Sequence, residues 1–134
     1  MRNIILAVLF AIIFTSPASA KYEAPKPKII AVYFYADWCT NCKILSMRYD
    51  AARINGELDK QKILFVKLDL TNKTTINQAI LQAHAMGFYD YLKQQGSGAG
   101  YVAILDANSK KELARFLRDN SADEIQNKIE ELLK

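Results

Sequence analysis

The chain has 134 residues, a formal net charge of +4 and two cysteines. This length suits one ordinary domain built around a single core. Acidic and basic residues are interspersed, and no basic run is interleaved with aromatic residues, so the sequence argues against a nucleic-acid-binding stretch and against a polybasic membrane patch.

The first 20 residues have the pattern of a secretory signal peptide. Arg2 supplies the positive charge, residues 4–14 are all apolar, and Ala18-Ser19-Ala20 offers the small residues of a cleavage site. The apolar stretch is shorter than the roughly 20 residues that span a bilayer as a helix. We therefore expect export to the periplasm or secretion, a mature chain that begins at Lys21, and no stable membrane insertion after cleavage. An uncleaved N-terminal anchor is the alternative.

The rest of the chain is predicted to be a short leader followed by one α/β domain. Residues 21–28 are polar, contain two prolines and predict an extended leader. In the domain, residues 29–134, β-branched and aromatic runs predict strands, and apolar residues at helical spacing predict helices. The predicted strands are 29–36, 63–68, 101–106 and 112–117, and the predicted helices are 40–54, 74–95 and a last one that begins at a capping box of Ser121 and Glu124. This order predicts a mixed sheet with helices on both faces.

The long helix predicted at 74–95 has one apolar stripe that includes His84 and Phe88. We expect this helix to cover the sheet with Phe88 and Leu92 turned inward. His84 is then expected to be packed at the edge of the core, and not to act as a ligand or a base.

The residues with reactive chemistry are Cys39 and Cys42, where the first strand passes into the first helix. A helix N-terminus stabilises an anion, and the thiolate is the nucleophile of disulfide exchange. We expect Cys39 to be the exposed attacking thiol and Cys42, one turn deeper, the resolving thiol. A bridge that closes four residues gives only about 2 kcal/mol in the loop-entropy model, which favours a redox role over a structural one.

A C-x-x-C pair can also bind zinc or attach haem, but the chain lacks the further residues that these two uses need. A zinc site needs two further ligands, and the chain has one histidine. Haem attachment needs histidine at position 43, which is Lys43. No cofactor and no metal site are therefore expected from this chain alone, whereas metal capture with ligands from a partner stays open.

The segment Tyr35–Lys43, YADWCTNCK, resembles the active-site segment of the thioredoxin superfamily. It is most similar to the thioredoxin-like C-terminal domain of DsbD-type disulfide interchange proteins, and the likeness continues through residues 66–71 and the closing hairpin and helix. The resemblance implies a thioredoxin-like α/β fold and a thiol–disulfide oxidoreductase with protein thiol or disulfide substrates and an electron donor that the sequence does not identify. It also implies that Trp38 shields the dithiol. Ordinary packing is the alternative role for Trp38.

Two positions depart from the family pattern. The family's buried carboxylate, six residues before the first cysteine, corresponds to Tyr33, a poor base at neutral pH because the ordinary pKa of a phenol is about 10. The family's cis-proline, which faces the dithiol, corresponds to Gly100. We expect a trans bond there, since a cis bond without proline costs about 3 kcal/mol. We therefore expect Gly100 to be a second site-shaping residue. The missing proline implies that the edge where substrates dock differs from that of the family, and it raises the chance that the dithiol captures a metal.

The sequence favours an exported reductase or electron relay that acts through Cys39 and Cys42. Strong oxidants of this fold often carry a histidine between their cysteines, whereas Thr40 and Asn41 bring no charge there. One alternative is a metallochaperone or cytochrome-maturation factor that binds copper or a client through the dithiol. Another is a non-catalytic adaptor. A monomer without a nucleic-acid partner is expected.

Overall fold

The computed structural model describes residues 26–134, which form one α/β unit. The predicted signal peptide and the leader up to residue 25 lie outside the described residues. The strands are β1 (Ile29–Tyr35), β2 (Ile63–Asp69), β3 (Tyr101–Asp106) and β4 (Glu112–Leu117). The α-helices are α1 (Thr40–Asn55), α2 (Lys73–Ala85), α3 (Tyr89–Gln95) and α4 (Ala122–Leu133), and a short 3-10 helix covers Leu58–Lys60.

The four strands form one mixed sheet in the order β2-β1-β3-β4. β1 is parallel to β2 and antiparallel to β3, and β3 is antiparallel to β4. In this register Val32 lies between Val66 of β2 and Ala103 of β3. The central position of β1 explains its uncharged sequence, because a strand with helices on both sides buries every side chain.

Successive residues of β1 enter two different cores. Ile29, Ala31 and Tyr33 belong to the core beneath α1 and α4, which also contains both cysteines. Ile30, Val32 and Phe34 belong to the core beneath α2 and α3. This alternation follows from the two-residue period of a strand. The predicted α/β architecture, with a mixed sheet and helices on both faces, is therefore confirmed.

The helix predicted over residues 74–95 is wrong as one element. It is two helices, since α2 ends at Ala85 and α3 begins at Tyr89. Gly87 separates them with φ +76°, a left-handed conformation that does not continue a helix. The expected inward positions of Phe88 and Leu92 are confirmed, because both are buried.

The predicted place of His84 at the edge of the core is wrong. Its side chain is exposed and its ring stacks on Tyr89 with 3.7 Å between the ring centroids. The physical reason is that α2 packs on the sheet through a different face, whose buried residues are Ala79 and Ala83.

Among the described residues, no helix is long and apolar enough to span a membrane.

Helix α4 begins at the predicted capping box. The Glu124 backbone N–H donates to Ser121 Oγ at 3.2 Å, and the Ser121 N–H donates to Glu124 Oε2 at 2.7 Å. The reciprocal pair satisfies two donors that a helix start leaves without intrahelical partners. α4 then packs through Ile125 and Ile129, both fully buried, beside α1.

Candidate active site

The dithiol lies at the start of α1, and a short loop from β1 carries it there. The Cys39 N–H donates to Ala36 O at 3.1 Å, which turns the chain into the helix. Thr71, just after β2, fixes the outside of this loop. Its Oγ1 accepts from the Asp37 N–H at 3.0 Å, and its carbonyl accepts from Trp38 Nε1 at 3.3 Å. The loop is therefore tied to the neighbouring strand as well as to its own.

Cys39 and Cys42 form a disulfide with 5.3 Å between their Cα atoms, inside the usual range for such bonds. Cys42 is completely buried, as expected, but the predicted exposure of Cys39 is wrong, because Cys39 is only 8% exposed and Gly100 packs against its sulfur. Cys39 is also the N-cap of α1, and its Sγ accepts a hydrogen bond from the Cys42 N–H at 3.1 Å. In the reduced protein the same donor, which Sγ shares with Cys39 O, favours a thiolate on Cys39, because the N–H groups of a helix N-terminus stabilise negative charge.

Tyr33 lies behind the dithiol, where the family resemblance expects a carboxylate. Its hydroxyl donates to Cys42 O at 2.7 Å and shares a hydrogen bond of 2.8 Å with Ser46 Oγ. Burial raises the pKa of the Tyr33 phenol above its ordinary value. Within residues 26–134 no charged side chain is buried. Tyr33 therefore acts behind the dithiol as a neutral hydrogen-bond donor, and the charge that acts on it is that of the exposed Asp50, which also raises its pKa.

Gly100, the residue before β3, faces the two sulfurs. A Cβ built on Gly100 would lie 3.2 Å from Cys39 Sγ, 4.0 Å from Cys42 Sγ and 3.5 Å from Asn41 Cβ. The residue has φ +99°, and its N–H donates to Phe34 O at 2.8 Å. All peptide bonds in the described range are trans. The structure thus brings Gly100, which is buried, against the dithiol, the position that the family resemblance implied.

Trp38 stands beside Cys39 and is 63% exposed. Its only hydrogen bond in the described part of the chain is the one to Thr71 O. Ordinary packing in the core therefore does not explain this tryptophan. Its shielding of the dithiol stays a prediction, and its exposed ring forms the rim of the site on the β2 side.

Two residues at the site were missed by sequence reasoning. Thr71 lies inside the run that carries the family resemblance, but the sequence gives no sign that it holds the loop before Cys39. Arg118 follows β4, and its Nη1 donates to Asn41 Oδ1 at 3.1 Å across 77 positions of sequence. Only the sheet topology, which places the end of β4 near the start of α1, could have indicated that contact.

The residues that could bind a metal are few. Among residues 26–134, no group of three or more histidine, cysteine, aspartate or glutamate side chains is arranged to hold an ion. The dithiol itself offers two sulfur ligands when reduced. The arrangement makes Cys39 the more accessible of the two cysteines, at 8% exposure, and places the completely buried Cys42 behind it. This order suits an attacking and a resolving thiol in disulfide exchange.

The family model named Thioredoxin matches residues 20–119. The chain belongs to the thioredoxin family. It is also similar to a Schizosaccharomyces pombe protein provisionally named a protein disulfide-isomerase, with 30% identity over 107 residues. That match covers 77% of this chain and 21% of the relative, so the chain spans about a fifth of that protein's length.

Two solved structures of the thioredoxin type are similar in fold. One is oxidised thioredoxin from Plasmodium falciparum, with 15% identity, a TM-score of 0.50 and coverage of 82% of this chain and 86% of the other. The second is a Bacteroides thetaiotaomicron protein provisionally described as a protein disulfide isomerase, with 15% identity, a TM-score of 0.50 and coverage of 79% and 74%. At this identity they bear on the fold alone. Together with the cysteine pair at disulfide distance, the family is consistent with a thiol–disulfide oxidoreductase.

Proposed function

We propose that this thioredoxin-family chain is an exported dithiol oxidoreductase that reduces protein disulfides or relays electrons between dithiols. The observation that carries the proposal is the Cys39–Cys42 disulfide at the start of α1, with Cys39 slightly exposed, at 8%, and Cys42 completely buried. The absence of charge on Thr40 and Asn41 supports the reducing direction, because strong oxidants of this fold stabilise their reduced form with charge between the cysteines.

The reaction begins with the dithiol form and a client disulfide. The Cys39 thiolate attacks one client sulfur, the client S–S bond breaks, and the other client sulfur leaves as a thiolate. Cys42 then loses its proton and attacks Cys39 Sγ, which forms the Cys39–Cys42 disulfide and releases the second client thiolate. Two electrons pass from the protein to the client, and a donor dithiol must return them for another cycle.

The surroundings of the pair fit these two steps. The Cys42 N–H at 3.1 Å from Cys39 Sγ supports the attacking thiolate. The bond from Tyr33 to Cys42 O holds the first turn of α1, so the buried sulfur stays behind the attacked one. Gly100 has no side chain, so only backbone covers Cys39 on the β3 side.

A reduction assay tests this proposal. The protein is reduced with dithiothreitol, separated from it, and mixed with insulin, whose reduction is followed by precipitation of the free B chain. Cys39→Ser and Cys42→Ser are the matched controls. We expect the wild type to reduce insulin stoichiometrically and Cys39→Ser to be inactive. Equal turbidity with wild type and Cys39→Ser would overturn the proposal, as would retention of Cu(I) by the dithiol with no disulfide exchange.

Export is part of the same proposal. The n-region, apolar stretch and cleavage site within residues 1–20 support a periplasmic or secreted mature chain that begins at Lys21. The sequence resemblance to DsbD-type domains supports a role outside the cytoplasm, with an electron donor that the sequence does not identify. N-terminal sequencing of protein recovered from its native host should give Lys21 first. Recovery of the chain with an intact Met1 in the membrane fraction would show an uncleaved N-terminal anchor and would contradict secretion.

A further inference from the structure

The turn between β4 and α4 brings an arginine to the rim of the dithiol. Arg118 Nη1 donates to Asn41 Oδ1 at 3.1 Å, and Asn41 lies between the two cysteines. Asn41 also lies next to Gly100, which packs against the sulfurs, since a Cβ built on Gly100 would lie 3.5 Å from Asn41 Cβ. The guanidinium group therefore stands beside the surface over which a client must approach Cys39.

The backbone of this turn is held in place from two sides. Arg48 of α1 donates to Arg118 O, and also to Asn120 O at 3.3 Å. Asn120 closes the turn on itself, because its Oδ1 accepts from the Leu117 N–H at 2.8 Å and its N–H donates to Leu117 O at 3.1 Å. Arg118 thus extends from a fixed base, which lowers the entropic cost of engaging a ligand.

The charge of Arg118 is available to a ligand. Its Nε is 3.3 Å from Asp119 Oδ1, but the Asp119 side chain is 86% exposed and that of Arg118 is 50% exposed, so this surface pair is weak and easily exchanged. Nη1 is bound to a neutral amide, and Nη2 has no hydrogen-bond partner among residues 26–134. A carboxylate is the group that an arginine binds best, through two parallel N–H donors.

The other side of the site has a different character. Trp38 presents an exposed ring there, and the carboxylate of Asp37 already accepts from Tyr35 Oη at 2.7 Å. A client segment that crosses the dithiol therefore meets an aromatic surface at one end and a cation at the other. The two ends differ in chemistry, so the site can favour one orientation of a bound client segment over the other.

We propose that Arg118 is a specificity-determining residue that binds an acidic side chain next to the reactive cysteine of the client. This inference rests on the proposed function and deepens it, because it names the class of substrate: disulfides flanked by aspartate or glutamate. The preference should be electrostatic, so it should weaken as salt screens the pair.

The test uses two synthetic peptides that carry the same disulfide and differ only by glutamate or glutamine beside one cysteine. Protein purified after expression of the full chain is reduced, and its second-order rate with each peptide is measured at low and at high salt. For the wild type we expect the acidic peptide to react about five times faster at low salt, equivalent to about 1 kcal/mol. At 0.5 M sodium chloride the ratio should approach one.

Three variants place the effect on Arg118. Arg118→Gln should bring the ratio close to one at both salt concentrations, and Arg118→Lys should retain part of it because the charge remains. Lys60→Gln is the matched control, since Lys60 is exposed, pairs with Glu57 at 3.1 Å, and follows the far end of α1. This control removes the same unit of charge and should leave the ratio of the wild type unchanged.

The outcomes separate this inference from the proposed function. Equal rates for both peptides with wild type, or a preference that survives in Arg118→Gln, would overturn the role of Arg118 while leaving disulfide reduction in place. Failure to reduce either peptide would instead overturn the proposed function. A ratio that falls equally in Lys60→Gln would assign the preference to net charge and reject the specific site.

Discussion

Replacing Gly100 by alanine tests how closely β3 approaches the dithiol. Gly100 has φ +99°, and an L residue held in such a conformation costs about 1–2 kcal/mol. The new Cβ would lie 3.2 Å from Cys39 Sγ, so the neighbouring atoms must shift by a few tenths of an ångström. Overpacking of this kind adds about 1 kcal/mol. We therefore expect the free energy of unfolding to fall by about 2–3 kcal/mol.

Gly96→Ala is the matched control for this substitution. Gly96 also has a positive φ, +68°, but no atom lies within 4 Å of the Cβ that alanine would add. We expect it to lose only the backbone part, about 1–2 kcal/mol. Urea unfolding of both variants measures the difference. Brief alkylation of the reduced proteins adds a second measurement, because the methyl group at position 100 should slow the reaction of Cys39 several-fold and the one at position 96 should not.

Equal losses of stability in Gly100→Ala and Gly96→Ala, together with equal alkylation of Cys39, would refute the reasoning. The space above the sulfurs would then be wider than the 3.2 Å contact requires. Proline at position 100 is expected to be worse than alanine. It cannot adopt the observed φ, and it removes the N–H that donates to Phe34 O at 2.8 Å.

Brief alkylation of the reduced wild type at pH 7 should label Cys39 before Cys42, as located by mass spectrometry, because Cys42 is completely buried; Cys42→Ser should then accumulate mixed disulfides on non-reducing gels. Tyr33→Phe should lower the free energy of unfolding in urea by about 1–2 kcal/mol, since the Cys42 carbonyl loses a buried donor. Hydrogen bonds from Arg115 hold the pKa of Glu112 below its ordinary value. The ionised Glu112 therefore stabilises the fold above the ordinary glutamate pKa, and this stabilisation is lost as the pH falls through the lowered pKa of Glu112 in the folded protein. Glu112→Gln should thus flatten the acid side of the pH–stability curve, as measured by urea unfolding.

Each of these predictions has an outcome that contradicts it. First labelling of Cys42 would exchange the roles of the two thiols. Ser46→Ala is the control for Tyr33→Phe, since it removes one partner of the Tyr33 hydroxyl but keeps the bond to Cys42 O. An equal loss in both variants would assign the effect to the Ser46 contact. Parallel pH–stability curves for wild type and Glu112→Gln would show that the carboxylate contributes nothing.

The strands and the last helix could be predicted closely because their signals are local. β1 carries seven uncharged residues that alternate between two cores, so neither a helical period nor a polar face competes with the strand assignment. The hairpin β3–β4 has the predicted bounds, Tyr101–Asp106 and Glu112–Leu117. The start of α4 follows from Ser121 and Glu124 alone, since a capping box depends on four consecutive residues.

The break between α2 and α3 could not be predicted from periodicity. Phe88 and Leu92 continue the helical spacing of the residues before them, so the pattern remains in phase across Gly87. One glycine inside a helical pattern usually lowers stability without ending the helix. Here φ +76° at Gly87 redirects the chain and buries Phe88, and tertiary packing decides the outcome.

The residues of the candidate site also fall into those that local sequence predicts and those that depend on tertiary contacts. Cys39 and Cys42 follow from a four-residue motif at a strand–helix junction, and Gly100 follows from alignment with the family. Thr71 and Arg118 could not be found because their contacts depend on the positions of other strands. Thr71 reaches the loop only because β2 lies beside β1, and Arg118 reaches Asn41 only from the end of β4.

The neutral phenol behind the dithiol leads to a last prediction about the resolving step. Cys42 must lose its proton before it can attack Cys39 Sγ. Tyr33 and its hydrogen-bond partner Ser46 are polar groups on that side. The pKa of Tyr33 is raised by burial, so at neutral pH it stays protonated and cannot act as a base. Proton loss from Cys42 then depends on solvent, and the mixed disulfide should live longer as the pH falls from about 8 to 6.

The lifetime of the mixed disulfide can be measured with an aromatic disulfide reagent such as dithiobis(nitrobenzoate), which releases a coloured thiolate. The first released thiolate reports attack by Cys39, and the second reports resolution by Cys42, whereas Cys42→Ser should give the first release alone. We expect the rate of the second release to rise steadily with pH. A second release that does not depend on pH over this range would contradict the prediction, because a group of the protein, and not solvent, would then accept the proton from Cys42.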